Sequence, residues 1–71
     1  SFKDPKTELQ ELLQSMKLDL PQYIIEESPD GGFNCSVSYD DNNFISSGIT
    51  KRSAQTSTAT KVLEYIRASN D

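Results

Sequence analysis

Lys51 and Arg52 stand side by side in a stretch, residues 42–63, that holds Lys61 as well and no Asp or Glu. Gly48 and Thr50 come just before the pair. A glycine and a threonine in that position mark the start of a helix, with Thr50 as the N-cap. Cations in a first helical turn are disfavoured by the backbone. Aligned peptide dipoles put partial positive charge there, at a cost of roughly 0.3–1 kcal/mol per exposed charge. The same dipole and the same unbonded N–H groups attract an anion. A phosphate in front of Lys51 and Arg52 would offset the repulsion and use both side chains. The plain alternative is solvated surface charge, the ordinary state of lysine and arginine.

Other chemistry finds no support in the chain. There is no His, so Cys35 lacks an imidazole base, and its place in an alternating apolar pattern makes it a core residue. The run Asp40-Asp41-Asn42-Asn43 lacks the alternate ligands, central glycine and distal Glu of a calcium loop. Glu26–Glu27 and Asp40–Asp41 are sequence neighbours, so on a strand each pair splits between two faces. No glycine-rich cradle precedes a helix in the manner of a P-loop. No catalytic site, metal, cofactor or small-molecule substrate is expected.

With 71 residues, 34% of them hydrophobic, the chain is expected to be one small domain spanning 1–71 with a modest two-layer core. It is also expected to be a piece of something larger. No apolar run reaches the roughly 18 residues of a membrane span, and no basic-then-apolar opening suggests secretion. A single cysteine excludes an internal disulfide and fits a reducing, cytoplasmic location. The net charge of −4 argues against a bulk electrostatic grip on nucleic acid. Its distribution changes that picture. Residues 42–63 carry +3, while acids gather over Asp19–Asp30 and at Asp40–Asp41.

Five elements must position these groups. Residues 4–17 read as a helix: Asp4 caps, Pro5 suits the first position, and Leu9, Leu12, Leu13 and Met16 form one apolar stripe. Lys17 suits the C-terminal end of the dipole, and Pro21 stops continuation. Residues 22–27 read as a strand, and SPDGG (28–32) as a turn. Residues 33–39 alternate, with Phe33, Cys35, Val37 and Tyr39 on one face and Asn34, Ser36 and Ser38 on the other. The run 40–43 closes a hairpin into a weaker strand over 43–49. A second helix covers 51–67, with Ala54, Thr58, Val62, Tyr65 and Ile66 on one side. The fold class is α+β in the order α-β-β-β-α. Two helices pack on one face of a three-stranded antiparallel sheet, and the polar face of the middle strand meets water.

On these motifs the chain resembles the double-stranded-RNA-binding domain (dsRBD) family over nearly its whole length. The family's D-P-K-T-x-L-Q-E opening is matched by Asp4-Pro5-Lys6-Thr7-Glu8-Leu9-Gln10-Glu11, and its P-x-Y by Pro21-Gln22-Tyr23. Its G-x-[ST]-K-[KR]-x-A is matched by Gly48-Ile49-Thr50-Lys51-Arg52-Ser53-Ala54, with Ala59, Val62 and Leu63 following. Within the family, the opening is most similar to the C-terminal domain of bacterial ribonuclease III.

The resemblance implies a non-catalytic module that binds double-stranded RNA through three contacts. Thr7, Gln10 and Glu11 would meet a minor groove, Gln10 and Glu11 at 2′-hydroxyls, the group that separates RNA from DNA. The loop Ser28-Pro29-Asp30-Gly31-Gly32 stands where the family has G-P-x-H; it keeps Pro29, lacks the histidine, is shortened, and adds the charge of Asp30. Thr50, Lys51, Arg52 and Gln55 would face phosphates, Gln55 replacing a frequent third cation; Thr58-Ala59 replaces an alanine pair. The second reading is a domain of the same fold, weak or silent toward RNA, that binds a protein partner or forms a homodimer. It would use the third strand's edge or a helix face, through exposed groups such as Phe44 or Ile45.

Overall fold

Asp4 nucleates the first helix. Its carboxylate accepts hydrogen bonds from the backbone N–H groups of Lys6 (2.9 Å) and Thr7 (3.3 Å) and from the Thr7 hydroxyl (2.9 Å). The computed structural model describes residues 3–69, and in it helix α1 runs Pro5–Ser15. The expected range, 4–17, overshoots at the C-terminal end. Lys17 turns left-handed at φ 60°; its N–H bonds the Gln14 carbonyl at 3.0 Å, and the Leu18 N–H bonds the Leu13 carbonyl at 2.9 Å. These two bonds form a Schellman motif. The helix therefore closes on its own carbonyls before Pro21 can act, and Lys17 lies past the last turn. Leu9 and Leu13 are buried and Leu12 half-buried. Met16, at the C-cap, is exposed, so the apolar stripe ends one position early.

Strands β1 (Ile24–Glu27), β2 (Phe33–Tyr39) and β3 (Asn42–Gly48) form an antiparallel sheet in the order β1-β2-β3. β1 is shorter than the expected 22–27 because the ladder begins at Ile24 opposite Ser36, while Tyr23 packs against the core. β3 is shifted one residue from the expected 43–49. Asp40 and Asp41 both have positive φ, 53° and 65°, as the two central residues of a type I′ turn require. Tyr39 therefore pairs with Asn42, and both asparagines belong to the strand.

Helix α2 (Lys51–Ser69) extends two residues beyond the expected end and lies across β2 and β3, with α1 packed against it. Both helices thus occupy one face of the sheet. Val37 packs with Leu9, Leu13, Ala59, Val62, Leu63 and Ile66 in the core cluster, and Cys35 and Ala54 are fully buried as well. Tyr65 adds edge contacts to Phe44 and Tyr39, with ring centroids 5.4 and 6.1 Å apart. Thr58 is also fully buried. Its hydroxyl is shared between the Ala54 carbonyl of its own helix (2.9 Å) and the Cys35 carbonyl of β2 (3.0 Å). The outer face carries Asn34, Ser36 and Ser38 as expected. It also carries Ile24 and Ile45, which flank Ser36 in register and are largely exposed. No helix among the described residues is long and apolar enough to cross a membrane.

Candidate nucleic-acid interface

The mouth of α2 is held by a reciprocal cap. The Thr50 hydroxyl accepts from the Ser53 N–H at 3.0 Å, and the Ser53 hydroxyl accepts from the Thr50 N–H at 3.1 Å. This is the logic of a capping box with serine in place of Glu. The cap uses the N–H of Ser53 and leaves those of Lys51 and Arg52 at the helix end, where first-turn donors have no intrahelical partner. Gly48 is required two residues upstream of Thr50. A Cβ there would stand 2.2 Å from the Ser53 hydroxyl and 2.6 Å from the Ala54 nitrogen. Lys51 and Arg52 are exposed. The Lys51 ammonium lies 5.8 Å from the centre of the Phe33 ring, within cation–π range.

Gln55 is half-buried, and its position is fixed by a residue that the sequence reading passed over. The Lys6 ammonium donates to the Gln55 side-chain oxygen at 2.7 Å. Lys6 also lies 5.5 Å from the centre of the Tyr23 ring. The bond joins the first turn of α1 to the first turns of α2. It aligns the Gln55 amide with its oxygen toward Lys6, so its NH₂ remains a donor, and it brings a third cation beside Lys51 and Arg52. The only signal for it in the sequence was the DPKT motif itself, which gave Lys6 no role.

Thr7, Gln10 and Glu11 are exposed and share the side of α1 opposite Leu9 and Leu13. Thr7 donates its hydroxyl proton to Asp4, so its lone pairs remain available. That bond is the main reason the Asp4 carboxyl titrates below its ordinary value; the backbone N–H groups of Thr7 and Lys6 and the charge of Arg52 add to it. Glu11 pairs with Lys3 at 2.5 Å. The pair is exposed and adds little stability, but it lowers the net charge that Glu11 presents while one carboxylate oxygen stays open to accept. A second ion pair, Glu8 with Arg67, lies between the two helices.

The loop 28–32 is a tight turn. Gly31 donates to the Ser28 carbonyl and Ser28 to the Gly32 carbonyl, each at 3.0 Å. Its base is set against the α2 mouth: Gly32, at φ 77°, approaches so closely that a Cβ would meet the Gly48 carbonyl oxygen at 2.7 Å. Pro29, Asp30 and Gly31 are exposed at the tip. Among the described residues, no hydrogen bond ties that tip to either helix. The structure thus links α1 to Gln55 through Lys6, and the loop to the α2 mouth only through its base. Cys35 is fully buried, and among the described residues no cluster of three or more His, Cys, Asp or Glu could hold a metal.

An α-β-β-β-α unit with cations and free N–H groups at one helix mouth and hydrogen-bonding side chains on a neighbouring helix carries the groups that reading a nucleic-acid backbone requires. Residues 5–66 match the family described as double-stranded RNA binding motif, and the chain belongs to that family. It is 37% identical over 75 residues to ribonuclease 3 of Idiomarina loihiensis, covering 97% of this chain and 33% of that protein. It is 43% identical over 67 residues to ribonuclease 3 of Buchnera aphidicola subsp. Schizaphis graminum, covering 86% and 30%. It is 44% identical over 70 residues to ribonuclease 3 of Blochmanniella pennsylvanica, covering 90% and 31%. The chain therefore spans about a third of the length of these relatives.

Proposed function

We propose that residues 1–71 act as one domain that binds double-stranded RNA by shape and backbone contact. In the cytoplasm it would serve as the non-catalytic targeting module of a larger RNA-processing protein of the ribonuclease III type. The observation that carries this is the Lys6–Gln55 bond at the foot of Lys51 and Arg52. It makes one surface out of two helices whose exposed residues suit different parts of a duplex. Thr7, Gln10 and Glu11 accept from and donate to 2′-hydroxyls in a minor groove, as RNA duplexes are recognised largely by shape and sugar contacts. Thr50 holds the α2 mouth in shape. Lys51, Arg52 and the Gln55 amide bind phosphates, with Lys6 alongside. Pro29, Asp30 and Gly31 form the third contact, a backbone touch weakened by the negative charge of Asp30.

Two or three cationic phosphate contacts give a slope of about −2 to −3 in log K against log salt. Binding by the single domain is then weak at physiological salt, and tethering to a second binding unit in a larger protein raises it. The experiment is titration of a duplex RNA of about 16 base pairs at low and moderate salt. Absence of binding at low salt, or unchanged binding after Lys51→Ala plus Arg52→Ala, overturns the proposal. Homodimerisation through β3 is disfavoured. The Lys61 ammonium caps the Ile45 carbonyl at 2.6 Å, a cation on a strand that a second copy would have to pair with. Phe44 is not an exposed anchor, since it packs against Tyr65.

A further inference from the structure

At the opposite end of the sheet from the α2 mouth lies a groove of about 520 Å³. It runs between the segment that follows α1 and the end of β2. Leu18, Leu20, Pro21 and Ile24 form one wall, and Val37 and Tyr39 the other. Leu18 and Leu20 are each 45% exposed and Ile24 is 61% exposed, so this is an open trough rather than a closed pocket. The volume lies in the range of roughly 300–1,000 Å³ typical of ligand sites. Among the described residues, the charged ones in its lining are Asp19 and Asp40. Neither forms an ion pair among the described residues, though one Asp40 carboxylate oxygen accepts from the Tyr65 hydroxyl at 2.7 Å, and Asp41 follows at the turn. α1 ends beside it, adding the partial negative charge of a helix C-terminus. Its last turn carries no cation, and Lys17, just beyond, is not part of the lining.

We propose that this groove docks a cationic amphipathic polypeptide segment of a partner protein, with apolar side chains in the trough and Lys or Arg against Asp19 and Asp40. Charge decides among occupants. Duplex RNA would bring phosphates against carboxylates. A second copy of this chain has its acid-free basic stretch only over residues 42–63, at the α2 mouth that the duplex is proposed to occupy. A basic segment with apolar anchors matches both the walls and the rim. The groove is separate from the RNA-binding surface, so the domain can hold duplex and partner together.

The test uses the ¹⁵N-labelled 71-residue chain and three synthetic helical peptides. One carries Leu on one face and Lys on the other, one has Glu for Lys, and one has Ser for Leu. The Leu/Lys peptide is expected to shift the amides of Leu18, Leu20, Gln22, Ile24 and Asp40 and to leave Lys51 and Arg52 unmoved. Asp19→Asn with Asp40→Asn should weaken it about three- to tenfold. Asparagine tolerates the left-handed turn position of Asp40, and Asp19→Asn alone gives a second, turn-independent readout. Equal binding of the Glu or Ser peptide overturns the proposal, as do shifts scattered over the surface. Groove shifts that follow protein concentration alone, or that appear on adding duplex RNA, overturn it in favour of a second copy or of RNA. The RNA titration of the wild type is scored separately, so either reading can fail without the other.

Discussion

At the mouth of α2, Thr50 and Ser53 satisfy each other and leave two N–H groups beside Lys51 and Arg52. At the far end of the sheet, the groove offers leucine and isoleucine walls with two carboxylates at the rim. The first region is polar, rigid and built from backbone held by glycine at close quarters. The second is apolar, open and built from side chains on an irregular segment. The difference teaches how a chain of net charge −4 can face a polyanion. It concentrates cations where helix geometry supplies extra donors, while Asp19, Asp40 and Asp41 lie at the far end of the sheet.

The comparison breaks most completely at Gly48. Gly48→Ala forces a methyl group into the Ser53 hydroxyl and the Ala54 backbone. It should cost about 2–3 kcal/mol in urea unfolding and displace the α2 mouth; an unchanged midpoint would show that the mouth is looser than the geometry implies. Next comes Lys51→Ala with Arg52→Ala. Duplex affinity should fall about 10- to 30-fold at low salt, and the salt slope should become shallower by about 2, read by fluorescence anisotropy across a salt series. Thr50→Ala removes one half of the cap and should cost about 1 kcal/mol of stability, with Thr50→Ser largely restoring it.

The smallest effect sharpens the boundary between the two regions. The Tyr23 hydroxyl is buried with no hydrogen-bond partner among the described residues, and burial pushes its pKa up to about 12. A raised pKa favours the protonated fold. The stability tied to that proton is full below pH ~10, the ordinary tyrosine value, and is lost as pH rises through the folded value. Tyr23→Phe should flatten the loss between those limits. At neutral pH it should leave stability equal or higher by up to about 1 kcal/mol, measured as urea midpoints against pH.

Much of this was legible in residue order. The alternation through Phe33–Tyr39 fixed which face of β2 is buried, and Cys35 lies in the core as its position implies. The two-layer arrangement followed from amphipathic helices on either side of the strands. Element ends were less legible. The stop of α1 depends on Lys17 accepting a left-handed conformation, which its residue type does not announce. The start of β3 depends on both aspartates adopting positive φ. The Lys6–Gln55 bond spans 49 positions, and no local pattern reveals such a pair. Ile45 and Ile24 meet across Ser36 only once the register is known. The groove was invisible for the same reason, since its two walls, within residues 18–24 and 37–40, are far apart in the chain.

Thr58 has a consequence beyond burial. Its hydroxyl pins α2 to the carbonyl of Cys35 in the central strand, while Lys6 links the same helix to α1. Gln55 and Thr58 lie within one turn of each other, so the two bonds tie the first half of α2 to both of its neighbours. Under the proposed function, these bonds would help set the separation between the α2 mouth, offered to phosphates, and the exposed side of α1, offered to sugars. A surface spaced in that way would respond to the dimensions of a duplex more than to its letters.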